Sequence, residues 1–180
     1  YLLQKIARAV VGTNNIDQTR ADEKYWPVTE VMGERLGFPA STASLAEIGR
    51  AGCVFVVDAD PAVSHPVLAR RIWQALRHGA RIIVAGSEET DLFRYAHVAL
   101  RHQPGTTDVL LNGILRMVFD GEMADPTSVA DRCEGVEELT ASLNSFDPAM
   151  VSEATGVSTE ELLKAALLYA SGGRRGIDVH

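Results

Sequence analysis

Two turns in this sequence place acidic side chains where an α/β protein usually meets its ligands: Asp58-Ala59-Asp60-Pro61 and Gly86-Ser87-Glu88-Glu89. Each follows an apolar run, and in an open parallel sheet ligands bind at the carboxyl ends of strands, beside helix N-termini whose amides favour anions. Neither turn has the glycine spacing of a generic nucleotide site. Asp58, Asp60, Glu88 and Glu89 would repel a phosphate, because these turns hold little compensating cation. Carboxylates at such turns also act as helix caps and solubilising charge, a plainer role that competes with ligand binding.

Other chemistry has less support. His65, His78, His97, His102 and His180 are scattered, without the spacing of a metal-ligand set. Cys53 and Cys133 are too far apart and too few for a disulfide framework, and read as reduced thiols. No GxSxG, Cys-His pair or paired-carboxylate arrangement points to hydrolysis. Trp26 and Trp73 read as packing residues.

The elements that would position the turns follow from apolar patterning. Leu2, Leu3, Ile6, Ala9 and Val10 predict an opening helix that ends at Gly12, and a short helix is expected around Val28 to Leu36. Ser44 and Glu47 fit a capping box, after which Val54 to Val57 and Arg81 to Ala85 are β-branched runs typical of parallel strands buried on both faces. Between them, Leu68, Ile72, Ala75 and Leu76 form the apolar stripe of a helix from Pro66 to about His78. A helical turn near Asp91 to Tyr95 and a third strand at His97 to Arg101 follow.

Beyond these the chain reads as helical. Leu111, Ile114, Leu115 and Val118 mark one helix, and Asp125-Pro126 and Asp147-Pro148 each pair an N-cap with a proline at the first helical position. Ser158 and Glu161 form a second capping box, before a helix expected to bury Leu162, Ala166 and Leu167. Gly176 to Val179 would begin a further strand. The expected fold class is α/β: an open, mostly parallel, Rossmann-like sheet flanked by helices, with a helical C-terminal part. Residues 1–180 are expected to form a single domain fragment, with an α/β core over about 1–104 and a helix-rich part over about 105–172.

The 180 residues, 46% hydrophobic, suffice for one buried core. With 24 acidic against 17 basic residues and a net charge of -7, the chain is ill suited to neutralising nucleic-acid phosphates. Its apolar runs are far shorter than the roughly 20 residues that cross a bilayer. The first residue is Tyr1 rather than Met, so the chain is expected to be cut from something longer.

Five segments, in order, carry a resemblance: YLLQKIARAVVGTNNID, SLAEIGRAGCVFVVDADPAVSHPVLARRI, GARIIVAGSEETDLF, HQPGTTDVLLNGIL and MVSEATGVSTEELLKAALLYA. Together they resemble the molybdopterin oxidoreductase family, which includes formate dehydrogenase large subunits and the G subunit of bacterial respiratory complex I. The resemblance covers nearly the whole chain and rests on no single motif. It implies a molybdenum or tungsten bis-molybdopterin guanine dinucleotide as family cofactor, with iron-sulfur clusters outside this segment.

Set against the family pattern, several positions depart. A Cys or selenocysteine metal ligand would follow GTNNID, whereas Gln18 to Pro27 contains no Cys and Glu23, beside Asp22 and Lys24, stands nearest. The first nucleotide-contact turn resembles G-x-N-P; here Asp58, Ala59, Asp60 and Pro61 retain only the proline. The second resembles D-P-R, where Gly86, Ser87 and Glu88 now stand, with Thr90 just beyond. The third, P-G-T-D, survives as Pro104, Gly105, Thr106 and Asp108, with Thr107 read as an extra residue that displaces the carboxylate.

These departures imply a non-catalytic structural or docking domain of a complex I G-type or related NADH-linked oxidoreductase subunit, with a degenerate pterin-dinucleotide site. No catalytic residue, metal ligand or bound cofactor is expected within the segment itself. The alternatives are the cofactor-binding domain of a formate-dehydrogenase-like enzyme and a free-standing acidic interaction module. Expected partners are the remainder of its own subunit and other subunits of the complex, in the cytoplasm or on the cytoplasmic side of a membrane, without membrane insertion.

Overall fold

Hydrophobic burial on both faces of a short parallel sheet organises this chain. The computed structural model describes residues 2–14, 31–35, 37 and 41–172. It divides into two units, Tyr1–Thr42 and Ala43–His180. In the first, α1 (Leu2–Ile6) continues as a π-helical turn, Ala7–Val11. Gly12, at φ 75°, closes that turn in a left-handed conformation open to glycine without a Cβ clash. The expected opening helix is present, with its second half widened. Residues 31–35 are helical. Glu23, Trp26, the rest of the helix expected over Val28 to Leu36 and the strand expected at Gly176 to Val179 lie outside the described residues.

The second unit begins with α2 (Leu45–Ile48), whose capping box is formed: Ser44 Oγ accepts from the Glu47 amide at 3.2 Å and the Ser44 amide donates to Glu47 Oε2 at 2.7 Å. Then follow β1 (Cys53–Val57), α3 (Pro61–Ser64), α4 (Pro66–Arg77), β2 (Arg81–Gly86), a 3₁₀ turn (Asp91–Tyr95) and β3 (Val98–Arg101). The strands are parallel in the order β1-β2-β3, with Val57 opposite Ala85 and Gly86 opposite Arg101. Side chains alternate between two cores. Val56, Ile82 and Val84 pack with Ile72 of α4 and Leu92 and Phe93 of the 3₁₀ turn. Ile83, Ala85, Val98 and Leu100 face the opposite way, towards the helices of the second half. This two-sided burial is why the strands read as unbroken apolar runs rather than alternating ones.

Those helices are α5 (Thr107–Asp120), α6 (Pro126–Arg132), α7 (Val136–Leu143), α8 (Pro148–Thr155) and α9 (Thr159–Ala170). Asp125 and Asp147 cap α6 and α8 as expected, accepting from the Thr127 and Ala149 amides at 3.2 and 2.9 Å. Ser158 and Glu161 form the second capping box. In α9 Leu162 and Ala166 are buried as expected, together with Ala165 and Leu168, whereas Leu167 is only partly buried. Helix α5 lies so close to α8 that a Cβ built on Gly113 would sit 2.6 Å from Val151 Cγ1. Buried Thr155 ends α8 by donating to the Val151 carbonyl at 2.7 Å and accepting from the Val157 amide at 3.2 Å.

Candidate functional site

The carboxyl ends of the three strands bring together Asp58 after β1, Ser87 after β2 and His102 after β3, with Thr107 opening α5 beside them. Asp58 is the hub. Its amide donates to the Ala85 carbonyl at 2.9 Å, continuing the β1–β2 ladder. Its backbone then takes φ 44°, a left-handed value that non-glycine residues rarely adopt. The carboxylate receives the Thr107 hydroxyl on Oδ2 at 2.5 Å and, at a long 3.4 Å, the Ser87 amide on Oδ1.

His102 completes the cluster from beneath. Its side chain is fully buried, against 37% exposure for that of Asp58. Nδ1 lies 2.9 Å from the Gln103 carbonyl, and because a carbonyl only accepts, Nδ1 carries the hydrogen. Nε2 lies 3.2 Å from Asp58 Oδ1, close enough for an ion pair but without the alignment of a hydrogen bond, so it has no hydrogen-bonding partner.

The other anticipated positions are distributed as follows. Asp60 caps α3, accepting from the Ala62 amide at 3.0 Å, and Pro61 is the buried first residue of that helix. Gly86 is the buried end of β2, where an added Cβ would meet Phe93 at an ordinary 3.5 Å. Glu88 is exposed. Thr90 precedes the 3₁₀ turn with its hydroxyl buried and unpaired. Pro104 and Gly105 form an exposed turn, and Thr106 donates its hydroxyl to the Gln103 carbonyl at 2.7 Å rather than to the Asp58 cluster. Asp108 is exposed in the first turn of α5. Thr107, not Asp108, therefore faces Asp58. His102 was passed over in the sequence because it has no ligand-like spacing; its place immediately after β3 was the available signal.

Neighbouring ionisable groups are structurally engaged. Glu89 takes a bidentate interaction from Arg101 at 2.9 and 3.1 Å, and the guanidinium lies 4.6 Å from the centre of the Phe93 ring. Hydrogen bonding to Arg101 holds the Glu89 carboxyl below its ordinary value of 4.5. A depressed carboxyl favours the folded state above the unfolded value, and that contribution is lost as pH falls through the folded one. Glu89→Gln is thus expected to lower the melting temperature at pH 6, with the deficit against wild type closing as pH drops below 4.5. Thermal unfolding of both proteins across that range is the check; a constant deficit would contradict it.

His97 Nδ1 accepts from the Ile82 amide at 3.1 Å, and burial, followed by the Arg81 charge, lowers its pKa. It is a structural histidine. Cys53 is partly buried, which raises its thiol, and Cys133 is exposed; both are free. Trp73 packs edge-on against Tyr95 at 4.6 Å. Among the described residues, no cluster of three or more His, Cys, Asp or Glu is placed to hold a metal ion. Also among them, no helix is long and apolar enough to cross a membrane.

A dinucleotide phosphate at these strand ends would have to share the space with the Asp58 carboxylate, which already takes the nearby donors. The residues present do not fit an anionic group there.

A parallel sheet with its turns converging at the strand ends defines an α/β domain of Rossmann-like type. The family model described as molybdopterin oxidoreductase matches residues 1–167, and the chain belongs to that family. It is 36% identical to formate dehydrogenase H of Escherichia coli (strain K12) over 172 residues, covering 94% of this chain and 24% of that protein. It is 32% identical over 177 residues to the F420-dependent formate dehydrogenase 1 subunit alpha of Methanococcus maripaludis, covering 98% of this chain and 26% of the relative. The chain therefore spans about a quarter of the length of these relatives. In structure it resembles acetylene hydratase from Pelobacter acetylenicus, with a TM-score of 0.70, 23% identity, and coverage of 83% of this chain and 21% of the other. At that identity the likeness speaks for the fold alone.

Proposed function

We propose that this chain is a non-catalytic structural and docking domain within the large subunit of a multi-subunit oxidoreductase, with a degenerate pterin-dinucleotide site. The observation that carries this reading is the Asp58 carboxylate, which stands where the family turn has glycine and collects the Thr107 hydroxyl and the Ser87 amide. Asp58, Asp60, Pro61, Gly86, Ser87, Glu88, Thr90, Pro104, Gly105, Thr106 and Asp108 are the family-equivalent cofactor positions on this reading. The segment 1–180 then serves as one functional piece, in contact with the rest of its subunit and with partner subunits on the cytoplasmic side. The formate dehydrogenase names of the relatives favour an alpha-subunit host of that kind over the narrower complex I G-type one.

Calorimetric titration of GDP, which carries the guanine and diphosphate of the family cofactor, tests the proposal. No saturable binding is expected at millimolar GDP, whereas micromolar affinity would overturn the degenerate-site reading. A second reading, a working cofactor-binding domain of a formate-dehydrogenase-like enzyme, is favoured by the 36% and 32% identities to formate dehydrogenases. Micromolar GDP binding, with near-stoichiometric molybdenum or tungsten in the intact protein, would establish it in place of the first.

A further inference from the structure

The edge of β1 that faces away from β2 is open among the described residues, where β1 pairs with β2 alone. Gly52 offers its carbonyl to the Arg81 amide and Asp58 its amide to the Ala85 carbonyl, so the even-numbered residues of this stretch point towards β2. Backbone groups alternate along a strand, which turns the amides and carbonyls of Cys53, Phe55 and Val57 to the open side. An edge strand is ordinarily blunted by charge or proline, and β1 has neither. Beside it lies an apolar groove of about 400 Å³ whose walls include Ile48 of α2, Val54 and Val56 of β1 and Leu68 of α4. Apolar walls next to unpaired backbone fit an added strand better than a compact ligand.

The path of the chain selects which strand. Helix α4 packs with Val56, Ile82 and Val84 on one face of the sheet, and α9 packs with Ile83, Ala85 and Leu100 on the other. Crossovers between parallel strands are right-handed, so those over opposite faces advance in opposite directions. The one over α4 leads from β1 to β2; one over α9 leads back from β3, past the filled positions, to the open edge of β1. Helix α9 runs that way. The Gln103 amide, just after β3, donates at 2.8 Å to the Thr155 carbonyl shortly before α9, and near the helix end Tyr169 meets Phe55 of β1 edge-on at 6.0 Å. Residues 173–180, outside the described residues, read GRRGIDVH, in which Ile177 and Val179 flank Asp178. Side chains two apart in a strand share a face.

We propose that residues 176–179 add to β1 as a fourth, parallel strand, with Ile177 and Val179 laid over the groove. Centred on β1, Asp178 stands opposite Phe55, on the side of Tyr169, which is 54% exposed and leaves a carboxylate there within reach of water. The amides of Phe55 and Val57 then donate to the carbonyls of Ile177 and Val179.

Amide hydrogen exchange, followed by NMR on the full chain and on residues 1–172, tests this register. Removing the tail should speed exchange of the Phe55 and Val57 amides by about 10-fold or more, while Val54 and Val56, bonded to β2, keep their rates. Equal rates for Phe55 and Val57 in the two lengths would overturn the proposal. So would protection that survives truncation but falls on dilution, which marks a second copy of the chain on the edge. If the shorter chain does not fold, the full-length variant Val179→Asp decides: loss of protection at the same two amides supports the strand, and unchanged rates refute it.

Discussion

Leu162→Ala should lower the free energy of unfolding by about 2–5 kcal/mol, as expected for truncating a buried leucine whose surroundings cannot fully collapse. Leu162 is 0% exposed and belongs to the core that joins Leu100 of β3, Leu110 and Ile114 of α5 and Val151 of α8. The strand ends are held in place by this core, because β3 and α5 deliver His102 and Thr107. The adjacent Leu163, 42% exposed, supplies the control: Leu163→Ala should change stability by less than about 1 kcal/mol. Denaturant unfolding followed by circular dichroism measures both. Equal effects would show that the α9 stripe is packed differently.

Gly113→Val should destabilise the chain by roughly 2–3 kcal/mol through overpacking. A Cβ at this position would lie 2.6 and 2.9 Å from the two methyl groups of Val151, itself fully buried. Valine in a helix has one strongly preferred rotamer, so Val151 cannot readily turn aside. Glycine within a helix costs about 1 kcal/mol relative to alanine, a cost that the close approach of α5 and α8 offsets. Val151→Ala in the same chain should recover much of the loss, and a thermal melt of the double variant is the check. Unchanged stability in the single variant would show that the two helices separate without penalty.

The strands and capped helices were legible because their signals are local. Two-sided burial leaves the unbroken run at Cys53 to Val57, and a cap needs only a Ser or Asp followed by Glu or Pro at fixed spacing, as at Ser44, Asp125, Asp147 and Ser158. Helices α3 and α7 escaped notice. The first is a single turn and the second buries only Leu143, so neither carries a readable stripe. Adjacent Leu167 and Leu168 are alike in side-chain type, so which of the two α9 buries more deeply depends on its packing. The cluster at Asp58 was legible only in part. Its carboxylate stands out in a turn, but the meeting of positions 58, 87, 102 and 107 depends on the β1-β2-β3 order and on how α5 enters the sheet. Thr107 looked like an inserted residue in the sequence, whereas its contact with Asp58 follows from its place as the first residue of α5.

The left-handed turn at Asp58 also limits which residues this position can carry. At φ 44° a β-branched side chain would be strained, whereas glycine, asparagine and aspartate accept that backbone, so substitution at residue 58 is narrowed by the geometry of the main chain before any contact of the side chain is considered.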